Sequence, residues 1–321
     1  MLMRSPVMET DGAGPPARDR DTLLLGPVVA DMEASFENFW QSRFAMPVEG
    51  QLRGRTRLST ERCAAIYADL HRYARDPANF APEVRAALAH IPDTFPWLAS
   101  HLTWDEVQFI HDVPGKNSGT HGLAGGGVTT TALAETLQRA RVRIVIQSPY
   151  LIFPPGALDL FTGLVARGVE IAISTNSLAS TDNLQAFSGY RKQRRKILAA
   201  GIKIFEFRPA PAVEKLLIAR YAALEKSAPT FALHAKTMVI DGETLFVGTF
   251  NLDPRSSNLN TEVGVLIHSQ TLAGQVEAAI RRDMQPENSW DPAQQDPDSE
   301  ASWGKRLRLW FWERLPLDAL L

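Results

Sequence analysis

Several classes of protein are excluded by what this 321-residue sequence lacks. Its one cysteine, Cys63, cannot form an intrachain disulfide and argues against a cysteine metal cluster or a Cys–His nucleophile pair. No apolar run approaches the roughly 18 residues that a membrane-spanning helix needs. The formal net charge is only -2, so overall charge gives no reason to expect a nucleic acid partner. Any anion-binding site must therefore be local.

Residues 1–17 lack an apolar core of signal-peptide length. They are rich in glycine, proline and charged residues, and this composition predicts a disordered leader. Hydrophobic residues make up 45% of the whole chain, which is enough for the core of a soluble globular protein. The length favours two domains, or one and a half.

Strands and helices alternate regularly from residue 128 onward. Apolar runs at 142–147, 169–175 and 202–207 predict strands, and the segments 156–167 and 183–200 between them have helical spacing. This alternation favours an α/β fold in which neighbouring strands are mostly parallel. Strands are also expected at 104–110 and 262–268, helices near 129–139 and 270–283, and a loop plus one helix over 209–230.

The N-terminal third is harder to interpret. A strand is predicted at 21–25 and a helix after Pro27, but this pair has no obvious sheet to join. Further helices are expected near 59–75 and 81–90. The glycine-rich run 115–127 does not match a phosphate-binding loop, because no Gly-Lys-Ser/Thr closes it, and it is interpreted as a connection. The predicted helix has one apolar stripe, formed by Val29, Met32, Phe36, Phe39 and Trp40.

Residues 231–267 hold the chemical constellation. Two apolar runs, 231–240 and 244–249, are joined through Asp241-Gly242, a strong hairpin signal. If the first run is a strand, His234 and Lys236 point to the same face, because side chains alternate along a strand. A charged pair on an otherwise apolar strand is costly unless it faces a cleft. Asn251 follows the second run and can fold back near this pair.

These residue types suit phosphodiester chemistry. A lysine ammonium and an asparagine amide can hold the non-bridging oxygens of the phosphate and stabilise the charge of the transition state. A histidine can attack phosphorus, or it can move the proton of an oxygen nucleophile or leaving group. This chemistry needs no metal, and no acidic metal cluster is visible, so neither a metal nor another cofactor is expected.

The same residues resemble a known motif. His234-x-Lys236-x4-Asp241, followed by Gly248-Thr249-x-Asn251, looks like the HKD motif of the phospholipase D superfamily, which usually has Gly-Ser at 248–249. The runs 148–154 (SPYLIFP) and 250–262 (FNLDPRSSNLNTE) resemble bacterial cardiolipin synthases and their relatives more than nucleases. The resemblance covers roughly 100–290 and implies a phospholipase D-like α/β/α sandwich.

The sequence departs from the family in one respect. The family builds its active site from two HKD motifs, one in each half of a pseudo-twofold domain pair, whereas one His-x-Lys-x4-Asp occurs here. Residues 18–40 resemble the segment that follows the first motif in those proteins. The resemblance therefore divides the chain into a leader (1–17), a remnant of the first half with a linker (18–100), a catalytic domain (101–290) and a Trp/Arg-rich tail (291–321).

The resemblance also implies roles for individual residues. His234 would be the second-half histidine that transfers a proton to the leaving alcohol, while the partner histidine is the nucleophile. Lys236 and Asn251 would bind phosphate. Glu262 matches the family glutamate that orients a catalytic histidine by a hydrogen bond. Asp241 completes the motif, but its place at the hairpin turn leads us to expect a structural role.

The function implied is that of a phosphatidyltransferase of the cardiolipin synthase type, which would pass a phosphatidyl group from phosphatidylglycerol or a similar lipid to an alcohol through a phosphohistidine. Two alternatives stay open: a hydrolase of lipid or nucleic acid, and an inactive single-motif fragment. A complete site needs a homodimer or a second chain. The segments that resemble cardiolipin synthases argue against a nucleic acid partner. The expected location is cytoplasmic, with peripheral attachment to the inner face of the cell membrane.

Two other segments allow more than one interpretation. The run 191–196 places five basic residues on one helix, either as a solvated face or as a surface attracted to anionic lipid headgroups. In the segment 303–321, one side of a predicted helix carries Trp303, Leu307, Trp310 and Phe311. This helix could dock on the protein's own core or lie in a membrane interface.

Overall fold

A computed structural model describes residues 2–3, 17–47, 59–79, 86, 102–116, 123–213 and 230–315 of the chain. The strands are β1 (Leu2–Met3), β2 (Ala17–Arg18), β3 (Asp21–Thr22), β4 (Glu106–His111), β5 (Arg143–Gln147), β6 (Glu170–Asn176), β7 (Lys203–Phe207), β8 (Ala232–Leu233), β9 (Thr237–Ile240), β10 (Thr244–Gly248), β11 (Val263–His268) and β12 (Ser289–Trp290). The α-helices are α1 (Val28–Trp40), α2 (Thr60–Arg75), α3 (Val128–Gln138), α4 (Ala157–Ala166), α5 (Leu184–Ala199), α6 (Pro254–Asn258), α7 (Gln270–Asp283) and α8 (Trp303–Trp312).

One eight-stranded mixed sheet organises the domain, with the order β12-β7-β6-β5-β9-β10-β11-β4. The predicted α/β class is confirmed, but the expectation of mostly parallel neighbours is wrong. Only the β5–β6 and β6–β7 ladders are parallel, and the other five are antiparallel. The reason is that parallel neighbours need a crossover connection, and only α4 and α5 supply one between adjacent strands of this sheet.

Helices cover both faces of the sheet, which gives the α/β/α sandwich. Along β5, Ile144 and Ile146 lie in the larger apolar core with residues of α3, α4 and α5. Val145 points the other way, into a second core against α7. This alternation makes β5 a strand that is buried on both faces, as expected for the interior of a layered α/β domain.

The hairpin predicted at Asp241-Gly242 is present between β9 and β10. Both turn residues have positive φ, 54° for Asp241 and 73° for Gly242. The Asp241 carboxylate accepts hydrogen bonds from the backbone N–H groups of Arg141, Val142 and Arg143 at 2.8–2.9 Å. Asp241 therefore ties the turn to the start of the adjacent strand β5.

The expectation of one continuous strand over 231–240 is wrong. Residues 232–233 form β8, which pairs in parallel with β2 outside the large sheet, and β9 begins only at Thr237. His234 and Lys236 lie in the extended link between these two strands. Ala235 between them is buried, while His234 is exposed and Lys236 is intermediate, so the two functional side chains still emerge on the same side.

The N-terminal helix is confirmed as α1, but the strand before it is shorter than predicted, since only Asp21 and Thr22 pair, with β1. The apolar stripe of α1 is largely exposed to solvent at Val29, Met32, Phe36 and Trp40. The expected leader, the helix near 81–90, the middle of the glycine-rich run and most of 209–230 lie outside the described residues, apart from Ala86 and the short ranges given above. Among the described helices, none combines the length and apolarity that spanning a bilayer requires.

Asp241→Ala should lower the free energy of unfolding by about 2 kcal/mol, because three charge-assisted bonds to backbone N–H groups are lost at a partly solvated site. Asp241→Asn should lose about half as much, since its amide oxygen still accepts and asparagine tolerates positive φ. Urea denaturation measures both, with Glu135→Ala on the exposed face of α3 as the matched control. Equal stability of D241A and E135A would contradict the structural role.

Candidate active site

The site begins where the N-terminal segment meets the strand before the HKD motif. β2 pairs in parallel with β8, with Arg18 opposite Leu233. This register sets Asp19 beside His234, and the distance between Asp19 Oδ2 and His234 Nδ1 is 2.9 Å. Neighbouring Arg20 donates to the side-chain oxygen of Gln147 at 2.8 Å and anchors the segment at the end of β5. The sequence thus brings a carboxylate from residue 19 to a histidine at residue 234.

The Asp19 contact fixes which histidine nitrogen is available for chemistry. When Nδ1–H donates to the Asp19 carboxylate, Nε2 is the nitrogen that can take up or release a proton, as in other carboxylate–histidine pairs. Burial alone would raise the pKa of Asp19, but the hydrogen bond from His234 and the charges of His234 and Lys236 outweigh it and lower this pKa. Asp19 is therefore a carboxylate at neutral pH and can accept the hydrogen bond from the imidazole.

Lys236 lies two residues on, and its half-buried ammonium donates to the backbone carbonyl of His234 at 2.5 Å. Burial lowers the pKa of Lys236 to about 8, although the negative charges of Asp19 and Glu262 act to raise it. Its backbone carbonyl accepts from Gly248 N–H at 3.2 Å, which fixes the link against the end of β10. A phosphate placed here would favour the ammonium form, because an adjacent anion raises the pKa of an amine.

Asn251 opens the loop after β10, as the motif predicts. Its backbone N–H donates to Ser256 Oγ at 3.1 Å, and the next residue, Leu252, donates its N–H to Ser148 Oγ at 3.2 Å. The side-chain oxygen of Asn251 is buried and has no hydrogen-bond partner among the described residues. A buried amide group left unpaired is unusual in a folded protein and is often found where a ligand or water completes the site.

Glu262 lies in the same region, but the side-chain hydrogen-bond partner of His234 is Asp19. Glu262 therefore does not orient His234. Its carboxylate accepts a short hydrogen bond from the Thr249 hydroxyl. Burial raises the pKa of Glu262, against the lowering effect of the Thr249 bond. Thr249, which stands where the family usually has serine, keeps the hydroxyl that this bond needs.

A buried ion pair stabilises the loop that carries Asn251 and Glu262. Lys116 Nζ lies 2.7 Å from Asp112 Oδ2 and donates to the carbonyl of Ser256 at 2.7 Å. Asp112 also accepts from the backbone N–H of Glu262 at 2.9 Å and of Thr129 at 3.0 Å. The pair thereby joins the end of β4, the start of α3 and the loop that carries Asn251 and Glu262.

A cleft of about 670 Å³ opens on this side of the domain. Its polar wall comes from the loop around Asn251 and Glu262, and its apolar wall comes from Phe39 and Phe44 near the end of α1. The lining residues are Phe39, Phe44, Pro114, Gly115, Lys116, Thr249, Asn251, Leu259, Asn260, Thr261, Glu262 and Val263. An amide, a carboxylate and an ammonium thus share one opening of the size of a small-molecule site.

The structure therefore divides the predicted residues into two groups. His234 and Lys236 lie together beside Asp19, and Asn251 and Glu262 line the adjoining cleft, whereas Asp241 caps the backbone at the opposite end of β9. Sequence reasoning missed Asp19, Asp112 and Lys116. For Asp19 a signal was present in the charged run Arg18-Asp19-Arg20-Asp21 directly before an apolar strand.

No group of three or more His, Cys, Asp or Glu side chains suited to a metal ion occurs in the described part of the chain. The arrangement offers an imidazole held by a carboxylate, a lysine able to carry positive charge and the side-chain amide of Asn251, whose N–H groups can donate. Such groups can bind an oxyanion and move a proton at the same place.

Competitive acylation should detect the perturbed lysine. In the folded protein, modification of Lys236 should rise with a midpoint near pH 8, because burial lowers its pKa to about this value. In the chain unfolded in urea, the same peptide should show the ordinary lysine midpoint of about 10.4. Mass spectrometry of the Lys236 peptide across pH measures both, and inorganic phosphate should move the folded midpoint upward. A folded midpoint above pH 10 would refute this environment for Lys236.

Comparison with known proteins agrees with these residues. Residues 133–284 match the family model described as "Cardiolipin synthase, PLD-like domain". Cardiolipin synthase C of Escherichia coli (strain K12) is 33% identical over 274 residues, which cover 82% of this chain and 54% of that protein. An uncharacterized protein of Helicobacter pylori (strain J99 / ATCC 700824) is 27% identical over 272 residues, covering 85% of this chain and 51% of that protein. The chain thus spans about half the length of these relatives.

Among solved structures, the phospholipase D family member NUC from Salmonella typhimurium aligns with 59% of this chain and 98% of its own, at 16% identity and a TM-score of 0.41. The family assignment rests on the sequence matches together with the residues of the HKD motif. Through the PLD-like domain that holds His234, Lys236 and Asn251, the chain belongs to the phospholipase D superfamily and is similar to bacterial cardiolipin synthases.

Proposed function

We propose that this chain supplies one half of a phosphatidyl-transfer site of the cardiolipin synthase type. The observation that carries the proposal is the Asp19–His234 hydrogen bond beside Lys236, because a carboxylate-held imidazole next to a cation is suited to proton transfer at a phosphodiester. The likeness to cardiolipin synthase C supports a phospholipid as substrate. The membrane contact, cytoplasmic location and domain boundaries given above belong to the same proposal.

The reaction has two balanced steps. A nucleophilic histidine attacks phosphorus and forms a P–N bond, the P–O bond to the first alcohol breaks, and His234 Nε2–H gives its proton to that leaving oxygen. An acceptor alcohol then loses its proton to His234 and attacks phosphorus, which releases the first histidine. Lys236 and the Asn251 amide would hold the non-bridging oxygens in both steps.

The nucleophile of the first step has to be a second imidazole, distinct from His234. His234 is already paired with Asp19, whereas the Glu262 carboxylate, held by Thr249, faces the cleft. We infer that Glu262 orients the missing imidazole, which another half-domain would insert there. If a second copy of the chain supplies it, the His234 of that copy has to exchange Asp19 for Glu262. This keeps the orienting role expected for Glu262 but assigns it to the histidine of the other half.

Two other functions use the same residues. With water as the acceptor, the second step becomes hydrolysis and the protein is a phosphodiesterase of lipid or nucleic acid. If nothing supplies the second imidazole, the chain is inactive. The buried, unpaired oxygen of Asn251 can accept a hydrogen bond from the hydroxyl of an alcohol or water, which favours a site that still takes a ligand over one that has decayed.

The central test is turnover of phosphatidylglycerol. The wild-type chain should release glycerol and form cardiolipin, His234→Ala should abolish this, and Asp19→Asn should lower kcat about a hundredfold or more, because the imidazole loses its charged partner. Chromatography of the lipids separates transfer from hydrolysis, since hydrolysis yields phosphatidic acid. If the folded wild-type chain is no faster than H234A, the enzyme made from two copies of this chain fails both as a transferase and as a hydrolase.

Mixing wild-type and His234→Ala chains shows where the second histidine comes from. If two copies form one site, equal amounts should leave about a quarter of the activity, because only wild-type pairs hold two histidines. If each chain joins a different half-domain, about half should remain. A retained activity of one half would exclude the site made from two copies.

A further inference from the structure

The C-terminal helix α8 is fixed to the domain through one face. Leu309 is buried in the larger core, where it packs with residues of α5. At its N-terminal end, Lys305 Nζ donates to the carbonyls of Ala179 and Thr181, both at 2.9 Å. At its other end, Arg191 of α5 forms a 2.7 Å ion pair with Glu313. These contacts fix which face of α8 is turned outward. Docking on the core buries one side of the helix and leaves the other side exposed.

The outward face is aromatic. Trp303 is 72% exposed, Trp310 is 53% exposed, and Phe311 and Leu307 beside them are also exposed. Their spacing, 303, 307, 310 and 311, places them on one stripe. We name this stripe, made of Trp303, Leu307, Trp310 and Phe311, the α8 aromatic face.

Basic residues frame the α8 aromatic face. Arg306 and Arg314 lie on the same side by helical spacing, and Arg308 is also exposed. The Arg314 guanidinium lies 3.4 Å from the centre of the Trp310 ring. The one acidic residue of the helix end, Glu313, is turned inward to Arg191. Aromatic rings surrounded by arginines match the headgroup region of an anionic bilayer, where rings lie at the interface and cations meet phosphates.

The inward side of α8 is connected to the candidate active site through one loop. The loop that receives the Lys305 hydrogen bonds continues into Asp182, whose carboxylate accepts from the Tyr150 hydroxyl at 3.2 Å. The negative charge of Asp182 acts in turn on Lys236. One short loop therefore connects the first turn of α8 to the phosphate-binding lysine.

We propose that the α8 aromatic face docks on an anionic lipid bilayer and holds the site at the level of the phospholipid headgroups. This inference rests on the proposed function, because it assumes a substrate within the membrane. The exposed apolar stripe of α1 has acidic residues on its helix: Glu33 and Glu37 lie there, and the first turn carries Asp31. Charge therefore selects α8 over α1 as the lipid-binding surface.

Vesicle flotation tests the inference without any need for turnover. The full chain is mixed with vesicles of equal parts phosphatidylglycerol and phosphatidylcholine, or of phosphatidylcholine alone. Trp303→Ala/Trp310→Ala should weaken binding to the anionic vesicles about tenfold or more, and Arg306→Glu should weaken it about fivefold or more. Rising salt should weaken wild-type binding, because screening reduces the attraction of exposed arginines.

Matched control variants on α1 and α3 test whether vesicle binding is specific to the α8 aromatic face. Phe36→Ala/Trp40→Ala removes two aromatic rings of similar exposure, 60% and 68%, from α1 and should leave binding unchanged. Arg139→Glu, at the exposed end of α3, is the control for charge and should also leave binding unchanged.

The inference is overturned if the wild-type chain does not bind, if it binds both vesicle types equally, or if the control variants lose as much binding as the α8 variants. All proteins are also tested with His234→Ala added. Anionic vesicle binding that persists without turnover would separate failure of the proposed reaction from failure of the docking surface.

Discussion

The antiparallel pairing of β5 with β9 is the interaction on which the rest of the domain depends. It joins the parallel strands β6 and β7 on one side to the antiparallel strands β10, β11 and β4 on the other, so that both groups form a single sheet. The register is fixed at one end by the Asp241 carboxylate, which holds the first backbone N–H groups of β5. The opposite end of β9 then necessarily presents Lys236 where β5 and β6 also terminate.

Much of this arrangement could be predicted because it depends on local patterns. Helices α3, α4, α5 and α7 follow from apolar periodicity, and the hairpin follows from Asp241-Gly242, where both residues have positive φ. The direction of neighbouring strands could not be predicted, since the periodicity of a buried strand is the same in parallel and antiparallel ladders. The break at His234 was missed for a related reason: a run of apolar residues does not show that its first part leaves the sheet to pair with β2.

The least predictable residues of the site are those whose partners are distant in sequence. Lys116 meets Ser256, and Asp112 meets Glu262, across more than a hundred residues, so no local spacing reveals either contact. The result is a site in which two carboxylates have different environments. The pKa of Asp19 is lowered beside His234, while that of Glu262 is raised by burial. Under the proposed function, Asp19 already binds the imidazole of His234, whereas Glu262 would bind the imidazole that the other half supplies.

The Asp19–His234 contact also has a consequence for the order of folding. The two residues are separated by 215 positions, so closing this contact requires one of the longest loops in the chain. During synthesis at 5–20 residues per second, Asp19 would leave the ribosome roughly 10 to 40 s before His234. The strands and helices in between can form in that interval, whereas the histidine acquires its carboxylate only after the N-terminal segment returns. We therefore expect strands β4 to β7 to form first, β9 to β12 to complete the sheet after them, and the His234 imidazole to be oriented last.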